Sequence, residues 1–203
     1  MKAENTLIIF TRYPEAGKTK TRLIPAIGAE KAANIQKQMT ENTIAKAVQL
    51  KSKLEVDIEI YFNGGNLTLM ENWLGTQHHY QLQGEGDLGR KMFSAIGDCL
   101  AQGSQKVVII GIDCPSLSTE ILTKAFVNLD NHPMVIGGAR DGGYYLLGLK
   151  QLNKSLFVNI DWGSDRVFSQ TMAVANEFNY QVHQLPVLQD IDRPEDLKYW
   201  QQN

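Results

Sequence analysis

Four basic side chains, Arg12, Lys18, Lys20 and Arg22, fall within eleven positions directly after the apolar run Thr6–Phe10. Arginine grips phosphate oxygens through two parallel donors, and lysine acts as a point charge. Gly17 allows a backbone to approach a ligand closely. In open α/β sheets, ligands bind beyond the carboxyl ends of strands. Arg12, Gly17, Lys20 and Arg22 are therefore candidates for cradling a di- or triphosphate. The same residues also fit a solvated basic loop. Gly17-Lys18-Thr19 matches the end of a P-loop, but that motif needs a glycine where Arg12 stands. Pro25 also interrupts the helix that should follow. Both facts argue against a Walker loop.

A second cluster is Gln83-Gly-Glu-Gly-Asp-Leu-Gly-Arg-Lys-Met92. Its glycines lie where a strand gives way to a helix, and a helix N-terminus with open backbone N–H groups suits an anion or a base edge. Gly84, Asp87, Gly89 and Arg90 are the candidate nucleotide-binding residues here. The glycine spacing matches a dinucleotide-binding string, but no acidic residue ends a strand about 20 residues later. A plain loop fits equally.

Carboxylates supply the third chemistry. Asp113 follows the apolar run Lys106–Gly111 and precedes Cys114-Pro115. Hard oxygen ligands suit Mg²⁺ or Mn²⁺, and Mg²⁺ usually takes one or two carboxylates plus substrate phosphates. Asp113 is the candidate ligand, although an aspartate in a turn before proline is also common. Asp190 and Asp192 are two apart, so in extended backbone they point the same way. Either could complete a metal site with Asp113, and either could instead serve an acidic helix start. Asp141 lies among Gly137, Gly138, Gly142 and Gly143, and could bind metal or orient an acceptor hydroxyl. Gly142, Gly143, Tyr144 and Trp162 are candidate acceptor contacts, with a hairpin turn and a core anchor as the plainer alternatives. Cys114 has no base near it in sequence and reads as a small buried residue. The histidines have no zinc spacing.

These residues need a scaffold. Thr6–Phe10 and Lys106–Gly111 read as strands buried on both faces. Val56–Phe62 alternates and reads as a strand with one drier face. Ile35, Met39, Ile44 and Val48 give a helix from Ala29 to about Lys51, and Leu88, Met92 and Ile96 mark another. Short elements are expected at Leu67–Leu74 and His79–Gln83. Ser118 and Ser164 are expected helix caps, the second for a helix running to about Phe178. Met134–Ala139 and Tyr144–Leu149 read as a hairpin, Tyr180–Leu185 as a late strand, and Pro194 as the first turn of a terminal helix. Alternating strands and helices imply a three-layer α/β/α sandwich with a mainly parallel mixed sheet.

The bulk numbers narrow the partners. The chain has 203 residues, enough for one domain over 1–203 with a core that needs no disulfide. A net charge of −2 gives no basic field for nucleic acid. No stretch approaches the roughly 18 apolar residues of a membrane span. Two isolated cysteines and no signal pattern over Met1–Phe10 favour a cytoplasmic setting.

Taken together, the ordered segments resemble a family. Phe10-Thr-Arg12-Tyr-Pro14-Glu-Ala-Gly17-Lys-Thr-Lys20-Thr21-Arg22-Leu23, the Gln83–Met92 loop, Gly111-x-Asp113-x-Pro115, Asp141-Gly-Gly-Tyr-Tyr145 and Asp190-x-Asp192-x-Pro194-Glu-Asp-Leu197 are similar, in order, to the bacterial CofC-like GT-A glycosyltransferase family, a domain of unknown function. That family looks like a branch of the nucleotide-diphospho-sugar transferases, with guanylyltransferases and sugar-nucleotide cytidylyltransferases as relatives. The resemblance implies that Lys20 and Arg22 contact phosphates, that Asp113 binds Mg²⁺ or Mn²⁺, and that Asp192 is the second ligand. It implies a transferase taking a nucleotide sugar, or a nucleoside triphosphate, plus a small-molecule acceptor. Lys20 and Asp141 are the candidate catalytic residues. Glycosyl transfer is the leading expectation, with nucleotidyl transfer and a non-catalytic nucleotide-binding module as alternatives. The chain departs from the relatives at Arg193, where a threonine would cap the next helix. The basic loop also lacks their Ala-Gly-Gly character.

Overall fold

The computed structural model describes residues 3–200. Met1 and Lys2, where the signal-peptide reading begins, and 201–203 of the expected domain lie outside them. Among the described residues, seven strands form one sheet: β1 (Asn5–Arg12), β2 (Asp57–Asn63), β3 (His79–Leu82), β4 (Lys106–Ile110), β5 (Met134–Ala139), β6 (Tyr144–Leu149) and β7 (Val182–Leu188). Their order is β3-β2-β1-β4-β6-β5-β7. All neighbours are parallel except β6, which runs antiparallel to β4 and β5. The sheet is therefore mixed and mainly parallel.

The helices are α1 (Ile24–Ile27), α2 (Ala29–Leu50), α3 (Leu67–Leu74), α4 (Leu88–Ala101), α5 (Thr119–Asn128), α6 (Val167–Glu177) and α7 (Leu197–Trp200). Side chains alternate across β1. Leu7 and Ile9 join Met39, Met70 and Leu122 of α2, α3 and α5 on one face. Ile8 and Phe10 join Met92 of α4 and Ala175 of α6 on the other. Two apolar layers thus enclose the sheet, the three-layer arrangement expected.

Some local expectations are corrected. β2 has no drier face, because helices cover both sides of the sheet and even Glu59 is buried. Val48 is exposed, and Ala47 and Leu50 take the buried positions of α2 as the helical stripe drifts. Ser164 does not cap α6. Its hydroxyl accepts the Arg166 N–H at 3.2 Å in a turn before the helix, which starts at Val167. β7 runs on through Pro186 to Leu188, tolerated because β7 is an edge strand. Ser118 does cap α5, accepting the Ile121 N–H at 3.3 Å.

Candidate active site

The carboxyl ends of β1 and β4 open into a cleft of about 510 Å³, within the range of small-molecule sites. β1 is held to α2 at its end by Thr11 Oγ1 against Thr40 Oγ1 at 2.7 Å and by Gln36 Nε2 donating to the Arg12 carbonyl at 3.1 Å. The basic loop leaves from there. Lys20 adopts a left-handed conformation (φ 46°), and this turn directs its side chain inward, where it is 4% exposed. Its ammonium donates to the Ile191 carbonyl at 2.6 Å and pairs with Asp113 Oδ1 at 2.7 Å. The Ile191 N–H donates to the Asp113 carbonyl at 2.8 Å. Ile191 therefore staples the segment after β4 to one some 80 residues later, and brings Asp190 and Asp192 into the same cleft as Asp113. Arg22 is ion-paired with Asp192.

Arg12, Lys20, Arg22, Asp113, Asp141, Gly143, Tyr144, Trp162, Asp190 and Asp192 all line this cleft. Gly17, Gly84, Asp87, Gly89, Arg90 and Gly142 do not, and each has a local reason. Gly17 takes φ 82° in the turn before Lys18. Gly84 lies in the loop after β3, ahead of the cleft's rim at Leu88. The Asp87 carboxylate caps α4, accepting the Arg90 N–H at 2.8 Å. Gly89 is covered by the Trp162 indole, which a β-carbon would overlap. Arg90 folds over Gly86 and is exposed. Gly142 lies against the Asp165 carbonyl, again too close for a β-carbon.

Leu88 and Met92 also line the cleft, although their helical spacing reads as core. Leu88 is 46% exposed. Its place on the first turn after a glycine loop is the only signal of this in the sequence. Gln83 is a further lining residue, its amide donating to the Thr11 and Tyr61 carbonyls at 3.1 and 3.2 Å.

The electrostatics are uneven. Asp190 is 6% exposed, and its Oδ1 is buried without a hydrogen-bond partner. Burial first, then the charges of Asp141, Asp196 and Asp113, push its carboxyl up to about 6. Burial first, then the charges of Asp113, Asp190 and Asp141, raise the Cys114 thiol, which favours its neutral, weakly nucleophilic form. Asp141 accepts the Gly143 N–H at 2.8 Å through Oδ1. Among the described residues, no three His, Cys, Asp or Glu side chains gather closely enough to hold a metal ion by themselves. A sparse carboxylate set with one unpartnered buried oxygen nevertheless fits Mg²⁺ or Mn²⁺, which take remaining ligands from substrate phosphates and water. Asp113, Asp190 and Asp192 are the side chains that could hold it.

This sheet order, with a ligand-sized cleft at the ends of β1 and β4, is the fold of the nucleotide-diphospho-sugar transferases. The chain belongs to DUF2064, a family of uncharacterized proteins conserved in bacteria, whose model matches residues 43–164. A Desulfovibrio desulfuricans G20 protein described as a nucleotide-diphospho-sugar transferase is 32% identical, with a TM-score of 0.88 over 98% of this chain and 87% of that one. A CMP-2-keto-3-deoxy-manno-octonic acid synthetase complexed with CTP shares the fold at 8% identity and a TM-score of 0.62, over 98% of both chains. A Mycobacterium tuberculosis H37Rv protein solved with manganese does so at 12% identity and a TM-score of 0.60, over 97% of both chains. No curated protein matches the chain.

Proposed function

We propose that the chain, acting as one domain over 1–203, is a metal-dependent glycosyltransferase that uses a nucleotide-activated sugar. One observation carries this reading: the basic loop and the carboxylates Asp113, Asp190 and Asp192 meet in a single cleft at the ends of β1 and β4. Arg12, Lys20 and Arg22 bind the diphosphate. Lys20 and Arg22 then exchange their present carboxylate partners for phosphate oxygens, which keeps each cation paired as the charge on the leaving group grows. Mg²⁺ or Mn²⁺ held by Asp113 with Asp190 or Asp192 would supply Lewis-acid stabilisation of the departing diphosphate. Asp141 is the candidate base. Gly143 holds one of its oxygens, and the other takes the proton of the acceptor hydroxyl. The acceptor oxygen bonds to the sugar's anomeric carbon as the carbon–oxygen bond to the diphosphate breaks, and the nucleoside diphosphate leaves with that electron pair. Proteins of this fold solved with manganese and with CTP support a metal and a nucleotide as ligands.

The test is incubation with Mn²⁺, panels of nucleotide sugars and nucleoside triphosphates, and mixed acceptors. Nucleoside diphosphate release is the expected product. Pyrophosphate release would replace the reading with nucleotidyl transfer. Thermal stabilisation by nucleotide without turnover would leave a binding module. Asp113→Ala is expected to abolish metal-dependent nucleotide binding in a calorimetric titration. Intact metal dependence in that variant would remove Asp113 from the site.

A further inference from the structure

The cations lining the cleft, Arg12, Lys20 and Arg22, all belong to β1 or the loop after it. The opposite wall is different in kind. It is built by Leu88 and Met92 of α4, Tyr144 of β6 and Trp162. The Tyr144 and Trp162 rings meet edge to face, with centroids 6.3 Å apart and planes at 82°. The Tyr144 hydroxyl points to the Met92 sulfur at 3.9 Å, a weak acceptor, so this wall is apolar even where it carries an O–H. Trp162 is fixed in place. Its indole lies directly over Gly89. The preceding Asp161 is tied to Gln170 at 2.8 and 2.6 Å and to Arg166 at 2.9 Å. Arg166 is thereby engaged with Asp161, and neither it nor Arg90 lines the cleft. The charged group from the β5–β6 turn that does line the cleft is Asp141, a carboxylate.

A phosphorylated acceptor placed here would set a dianion beside Asp141 and against an apolar wall that carries no cation of its own to offset its desolvation. An uncharged ring has the opposite balance, because aromatic and thioether side chains favour an apolar ring face. We infer that the Leu88–Met92–Tyr144–Trp162 wall is the acceptor subsite, and that it takes an uncharged alcohol with an apolar ring face in preference to a phosphorylated compound. The inference rests on the transferase reading for the word acceptor, but the wall's selectivity is measurable without turnover.

Phenyl β-glucoside and its 6-phosphate are suitable probes, titrated calorimetrically with and without nucleoside diphosphate and Mn²⁺. The glucoside is expected to bind about tenfold or more tightly than its 6-phosphate, and Trp162→Ala to weaken it about tenfold. Trp162→Phe should retain most of the affinity. Gly89→Ala, which adds a good helix former but displaces the indole, should weaken glucoside binding while leaving nucleotide affinity within about twofold. This second variant covers a Trp162→Ala protein that fails to fold. Equal or tighter binding of the 6-phosphate overturns the inference. So does absent glucoside binding, or binding indifferent to both Trp162→Ala and Gly89→Ala. A protein that binds the glucoside as described but releases neither nucleoside diphosphate nor pyrophosphate keeps the subsite and overturns the transferase reading instead.

Discussion

Lys20 is the side chain on which the candidate site turns. A buried ammonium needs a counter-charge or several acceptors, and Lys20 finds Asp113 and the Ile191 carbonyl. Asp190 is less fully compensated, with its Oδ1 buried and without a hydrogen-bond partner. Its carboxyl is pushed up to about 6 from an ordinary 3.8, chiefly by burial. The native state therefore holds a proton more tightly than the unfolded chain between those values. Its contribution to stability is fully present below about 3.8 and is lost as pH rises through about 6. In chelator-treated protein, Asp190→Asn should be more stable than wild type at neutral pH, and the difference should shrink towards pH 4. Urea denaturation across that range checks this, and a pH-independent difference would show that the Asp190 charge is not the cause.

At the scale of elements, the glycine loop before α4 shows how one string can serve structure while resembling a ligand motif. Asp87 is the N-cap of α4. Asparagine caps as well as aspartate, whereas alanine loses about 1 kcal/mol. Asp87→Asn should thus leave stability nearly unchanged and Asp87→Ala should lower it by about that amount, with nucleotide affinity unaffected in both. A large loss of nucleotide affinity in Asp87→Asn would return this carboxylate to the binding site. The turn after Asp192 is a second case. Arg193 stands where a threonine would cap, and the Asp196 carboxylate supplies the reciprocal half of a capping box, accepting the Arg193 N–H at 2.8 Å and the Asp192 N–H at 3.2 Å. The Asp196 N–H donates to the Arg193 carbonyl at 2.9 Å, so the backbone of the turn satisfies the donor without a capping hydroxyl.

Across the whole molecule, the cleft is polarised, charged on the α2 side, where its three cations lie, and aromatic on the α4 side. Binding of a nucleoside diphosphate should then weaken as ionic strength rises from about 0.05 M to about 0.5 M, because partly exposed charges are screened over that range. Binding of an uncharged ring at the Trp162 wall should change little. Parallel titrations of both ligands test this, and equal salt sensitivity would deny the polarity. Among the described residues, no helix is long and apolar enough to cross a membrane.

Much of the architecture was legible in local order. Continuous apolar runs marked β1 and β4, helical spacing marked α2 and α4, and Ser118 marked the start of α5, since each depends on neighbours within a turn or a strand. The basic loop, Asp113 and the Asp190–Asp192 pair were legible as charged groups placed after strands. Only tertiary structure decided which of them meet. The Ile191 staple that carries Asp190 and Asp192 to Asp113 is a contact between distant segments, invisible to any periodicity. The same holds for Gly89 beneath Trp162, which turned a candidate phosphate contact into a packing surface. Residue type and spacing determine what chemistry a chain can offer. Burial and long-range pairing determine which groups face one cleft, because desolvation and charge compensation exist only once the chain has folded.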